Sequence, residues 1–224
     1  MSSGADSLHL TEDSAADALL SENANALLVG MVLDQQVPLE KAFSGPAVIA
    51  QRMNGSFDVA AIAATSEEEF VALCSERPAI HRFPGAMAKR VRQVCLQLVE
   101  RYDGDVQRLY ASAASGAELK AALAELPGFG EQKAAIFTAL LGKQRGITPA
   151  GWREAAHPYG EEGTFVSVAD IVDHESLLKV RSAKQAAKAE AKAKAQTKSK
   201  ADAKVGAKSP GRALATKPAG EPRP

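Results

Sequence analysis

An all-α fold is predicted by three features of this chain. Its composition is 46% hydrophobic but only 5% aromatic, with alanine and leucine dominant, a balance that favours helices packed on helices. Apolar residues recur at helical spacing through most of the chain, and only Phe165 to Ala169 looks strand-like. The stretch Leu126-Pro127-Gly128-Phe129-Gly130 joins two helical segments through a tight turn, around which the rest is organised.

Taken in order, residues 1–11 read as a loose leader. Thr11 or Ser14 caps a helix running to Gly30, with Ala18, Leu19, Leu27, Leu28 and Met31 on its buried side. Leu33-Asp34-Gln35-Gln36 follows, and Pro38 fits the first turn of a helix that stops at Met53-Asn54-Gly55. Asp58 and Ser66 cap two short helices, 59–64 and 67–74. His81 to Gly85 is a turn, with His81 read as a turn residue only. It opens an amphipathic helix, 86–102, whose apolar stripe includes Met87, Val91, Cys95 and Leu98 and whose other face carries Lys89, Arg90, Arg92 and Arg101. Asp103-Gly104-Asp105 ends that helix and caps the next, 106–114; helices 118–125 and 133–141 then flank the hairpin.

Glycine tolerates positive φ because it has no Cβ, so Gly128 and Gly130 are both expected to turn that way. Phe129 between them is expected to fold inward and lock the helices together. The amides of residues 128–132 are then left pointing outward at a helix N-terminus, where unpaired N–H groups and the helix dipole favour an anion. A backbone phosphate of DNA suits that shape.

Leu126 to Ala134 resembles the helix-hairpin-helix of the DNA-glycosylase superfamily, the endonuclease-III-like or HhH-GPD base-excision repair proteins. Gln35-Gln36 stands where that family carries a glutamine pair, and the order of helices is similar over roughly residues 24–142. The resemblance implies a helix-hairpin-helix DNA-glycosylase-like helical domain acting on double-stranded DNA. It implies that Gly128, Phe129, Gly130, Gln132 and Lys133 hold a DNA phosphate, and that Gln35 and Gln36 face the lesion. Many relatives carry a [4Fe–4S] cluster, but this chain has two cysteines in all, Cys74 and Cys95, and no ligand set for one. Four scattered histidines lack metal-ligand spacing, so no metal or other cofactor is expected.

Two departures bear on mechanism. Lyase-competent relatives place a Schiff-base lysine at the position of Gln132, whereas Lys133 lies one residue on, about 100° round the helix. Glutamine forms no imine, so hydrolysis without strand cleavage is expected, with Lys133 as a phosphate or surface contact. The family's aspartate soon after the hairpin helix is also missing from Gly142 to Gly151. Asp170 is the leading catalytic candidate, displaced by an insertion, ahead of Asp173 and Glu154; the alternatives are that Asp170 merely caps a helix or that the carboxylate is absent. Trp152 and Tyr159 lie within the insertion as candidates for stacking on an extruded base, although a lone Trp is commonly core.

The net charge of zero hides an asymmetry. Residues 181–224 carry 12 Lys/Arg against 3 Asp/Glu, which leaves 15 against 24 for residues 1–180. The former is an Ala/Lys-rich tail with no apolar period, expected to be disordered and to attract DNA without reading sequence. The expected organisation is leader 1–11, helical domain 12–180 and tail 181–224. With no secretory leader or membrane-length apolar run, a cytoplasmic, nucleoid-associated monomer is expected. The readings are a monofunctional DNA glycosylase and, as alternative, a non-catalytic helix-hairpin-helix DNA-binding protein.

Overall fold

Short polar side chains set where most of the helices begin. The computed structural model describes residues 7–187 and 189, and the chain divides after Lys184 into two units. Residues 181–187, expected to open the disordered tail, are instead helical; the rest of the tail, and the expectation of disorder for it, lie outside the described part. Asp13 caps α1 (Ser14–Glu22), Asn23 caps α2 (Ala24–Leu33) and Asp58 caps α4 (Val59–Ala64). Ser66 and Glu69 form a reciprocal capping box on α5 (Glu67–Ser75), while Asp105 and Ser115 cap α7 (Val106–Ser112) and α8 (Gly116–Ala124). Proline starts two more: Pro38 precedes α3 (Leu39–Arg52) and Pro84 opens α6 (Pro84–Tyr102). Then come α9 (Glu131–Gln144), α10 (Trp152–Ala155), a 3-10 turn Val168–Asp170, and α11 at 174–187.

α2 is the centre of the packing. Its sequence is apolar all round, and Ala26 to Leu33 are buried, so it needs neighbours on every side. α1, α3, α6 and α7 supply them. Each fully buried Leu or Met of α2 contributes about 1.5–3 kcal/mol of transfer free energy. α4 and α5 pack on the apolar stripe of α6, and α8, α10 and the 3-10 turn pack on α9. The helix order therefore brings the C-terminus of α2, the first turns of α6 and the N-terminus of α9 to one place.

Three local expectations are corrected. The single helix expected to run from a cap at Thr11 or Ser14 to Gly30 is capped by Asp13 instead and breaks at Asn23, whose side chain accepts from Ala26 N–H and so starts a new helix. Residues 7–11 are not loose: Leu8 and Leu10 are buried, and Thr11 donates to the Asp17 carboxylate at 3.0 Å. The strand-like piece at 165–169 has no partner strand and tightens into the 3-10 turn; the sheet-like pairing among the described residues is a lone bridge between Ser115 and Ala150.

Candidate nucleic-acid interface

The hairpin between α8 and α9 closes as its residues require. Phe129 N–H donates to Leu126 C=O at 2.9 Å, and Gly128 sits at φ +85°, where an L side chain is strained. A Cβ there would also come within 2.1 Å of Arg90 Cδ, so the Arg90 stem lies directly on the turn. Gly130 differs from expectation: its φ is −134°, extended backbone open to any residue. Phe129 does fold inward, 8% exposed, edge-on to Phe137 at 5.8 Å between ring centroids.

α9 begins with an open end. Its ladder starts at Ala134 N–H to Gly130 C=O, 2.9 Å, so the N–H groups of Glu131, Gln132 and Lys133 have no backbone partner within the helix. Gly130, Glu131 and Gln132 are exposed, and Gly130 offers no capping side chain. These donors and the positive end of the helix dipole face solvent.

The Asp34-Gln35-Gln36 segment lies alongside. The two glutamines divide their tasks. Gln35 is pinned within the protein: its amide donates to Val32 C=O at 3.0 Å and lies 3.2 Å from Met87 Sδ, and its Oε1 accepts from Arg90 at 3.2 Å. Gln36 is exposed and held at φ +57°, an uncommon conformation for a non-glycine residue. His81 holds the segment in place. It is buried, its Nδ1 accepts from Phe83 N–H at 3.0 Å, and its Nε2 lies 2.8 Å from Gln35 C=O, which the Nε2–H tautomer serves as donor.

Lys133 turns inward from α9. Its ammonium donates to Val32 C=O at 3.0 Å, at the end of α2, and burial pulls its pKa down to about 8, opposed by the Asp34 charge and aided by Arg90. The surface contact expected of it is thus not what this side chain makes. Phe83, at the entry to α6, is 45% exposed, with the Arg82 guanidinium 5.1 Å from its ring centre. Sequence reasoning missed both His81 and Phe83. The available signal for Phe83 was an aromatic in a turn just ahead of a helix-opening proline, which has no reason to face solvent.

The residues of the insertion separate. Tyr159 Oη accepts from the Gln132 amide at 2.8 Å, beside the start of α9. Trp152 is buried farther along α9: a Cβ on Gly142 would meet its ring at 2.4 Å. Asp170 belongs to that far end as well. Its carboxylate accepts from Lys143 Nζ at 2.6 Å, Thr164 Oγ1 at 3.2 Å, and the N–H groups of Val166 and Ser167 at 2.9 and 3.0 Å. Gln144 anchors the same loop through Val168 and Ala169 C=O. Gln132 and Lys143 stand about 16 Å apart along the axis of α9 at helical rise. Asp170 and the hairpin are therefore not brought together.

Two helices joined by a Gly-bearing turn, with bare amides at the start of the second and polar groups converging beside it, define a helix-hairpin-helix protein. The family model of the HhH-GPD superfamily base excision DNA repair proteins matches residues 29–201. The chain belongs to that superfamily, whose members are DNA glycosylases, and base excision repair of DNA is its class of function. No curated protein and no solved structure matches it. Among the described residues, no helix is long and apolar enough to cross a membrane.

Proposed function

We propose that this protein is a monofunctional DNA glycosylase that hydrolyses the N-glycosidic bond of a damaged or mismatched base in duplex DNA. The carrying observation is the convergence at one place of the open start of α9, the exposed and strained Gln36, Arg90 and the exposed Phe83 ring. The amides of 131–133 suit a phosphate, and Phe83 suits the gap left when a nucleotide swings out. Gln36 offers the extruded base a donor and an acceptor without charge, while Gln35 acts through its grip on the segment. Tyr159 lies close enough to Gln132 to border the same space, whereas Trp152 supports the fold. Extrusion costs a few kcal/mol, least at a weakened pair, which is one source of lesion selectivity. The basic tail adds sequence-independent attraction to the DNA backbone.

A panel of duplexes carrying uracil, alkylpurines, hypoxanthine, 8-oxoguanine or mismatches, treated with alkali after incubation, reads base release. Release from at least one lesion is expected, and strand cleavage without alkali would contradict the monofunctional assignment. A second reading, a non-catalytic DNA-binding protein, is favoured by the enclosure of Asp170 at the far end of α9. Salt-sensitive binding with no release from any lesion would support it.

A further inference from the structure

We infer that Asp34 is the carboxylate that activates water at this site, in place of Asp170; the inference rests on the glycosylase reading above. Asp34 ends α2 and immediately precedes the glutamine pair. Its side chain is 15% exposed, yet among the described residues its carboxylate accepts no hydrogen bond and makes one long ion pair, to Lys184 Nζ at 3.7 Å. The group is half-buried and its oxygens keep access to solvent, and an acceptor left open beside a ligand surface is one that a water or substrate group completes.

The surroundings select it over other carboxylates. Lys133 from α9 lies close enough to feel its charge, and Lys184 from α11 adds further positive charge beside it. Glu40 is engaged by Arg181 at 2.5 Å, and Glu131 points outward to Lys120 at 3.1 Å with 78% of its side chain exposed. Asp170 is saturated by four donors from its own loop and α9. That leaves Asp34 as the open carboxylate next to Gln36 and the start of α9.

The step balances without any redox partner. The C1′–N bond of the extruded nucleotide breaks and its electron pair leaves with the base. A water oxygen bonds to C1′, and Asp34 takes the proton that this water sheds. The departing base gains its proton from solvent, leaving an abasic sugar and a free base. While positive charge builds on the sugar, the same carboxylate faces it favourably.

The test measures single-turnover base release by wild type, the isosteric D34N, D34A with and without added formate, and K184A. Each is paired with an affinity for a duplex carrying an uncleavable abasic analogue. Expected is a 10²- to 10⁴-fold slower release by D34N at an affinity within threefold of wild type, partial recovery of D34A in formate, and K184A within tenfold of wild type. Release by D34N within threefold of wild type would overturn the assignment, as would a K184A loss equal to that of D34N. Should D34N fail to fold, formate rescue of D34A decides, and its absence counts against Asp34. A wild type inactive on every lesion would instead defeat the glycosylase reading itself.

Discussion

The two ends of α9 treat their polar groups in opposite ways. At its C-terminal end every such group is engaged: Lys143 with Asp170, Gln144 with two carbonyls, and Asp170 with two further amides. At its N-terminal end the helix amides are bare, Gln36 is exposed and strained, and Asp34 accepts no hydrogen bond among the described residues. Satisfied groups hold a fold; unsatisfied ones hold the capacity to bind. The comparison teaches that the long insertion delivers Asp170 to the closed end of α9, away from the open amides at its start.

The sharpest way to break this contrast is to remove each aspartate and measure stability in urea. Asp170→Ala is expected to cost about 3–5 kcal/mol, because it leaves the half-buried Lys143 beside an emptied partner. Asp34→Ala is expected to cost less than about 1 kcal/mol, the value of a partly exposed ion pair. Equal losses would erase the distinction. Next in size is Gly128→Val, which forces a β-branched residue to φ +85° against the Arg90 stem. A loss of about 2 kcal/mol is expected, with duplex affinity at least tenfold weaker by fluorescence anisotropy; unchanged affinity would uncouple the hairpin from DNA.

A pH-dependent effect comes from Lys133. Its folded pKa, about 8, lies below the ordinary lysine value, so above pH 8 the unfolded chain keeps a proton that the folded protein has released. Stability therefore rises with pH through that window, and below it the penalty of burying the charge is present in full. Relative to Lys133→Met, wild type is expected to gain on the order of 1–2 kcal/mol between pH 8 and 10, read from urea midpoints. A flat difference would place the amine in water.

Local signals carried much of the fold. Asp58, Ser66 and Asp105 cap the helices that their positions announce, and the α6 stripe buries Met87, Val91, Cys95 and Leu98 as its spacing requires. The break at Asn23 was missed because apolar periodicity runs straight across it, and the cap depends on one side-chain acceptor. Leu8 and Leu10 gave no periodic sign; their backbone is held by the side chains of Ser21 and Asp17 on α1. The hairpin was legible because its geometry is local. The unequal roles of Gln35 and Gln36 were not, since Arg90, Met87 and His81 reach them from 46 to 55 residues away. Asp170 shows the same limit: its environment is assembled by a loop whose path no short pattern encodes.

The two native thiols bear on how this surface is to be mapped. Cys74 and Cys95 are buried, and burial pushes the Cys74 thiol up to about 12 and that of Cys95 higher still, so neither forms a thiolate in ordinary buffers. A cysteine introduced by Gln36→Cys would then be the sole reactive sulfur on the molecule. Disulfide capture of an oligonucleotide bearing a tethered thiol, or a single fluorophore at that point, becomes practicable without first stripping the chain of its own cysteines.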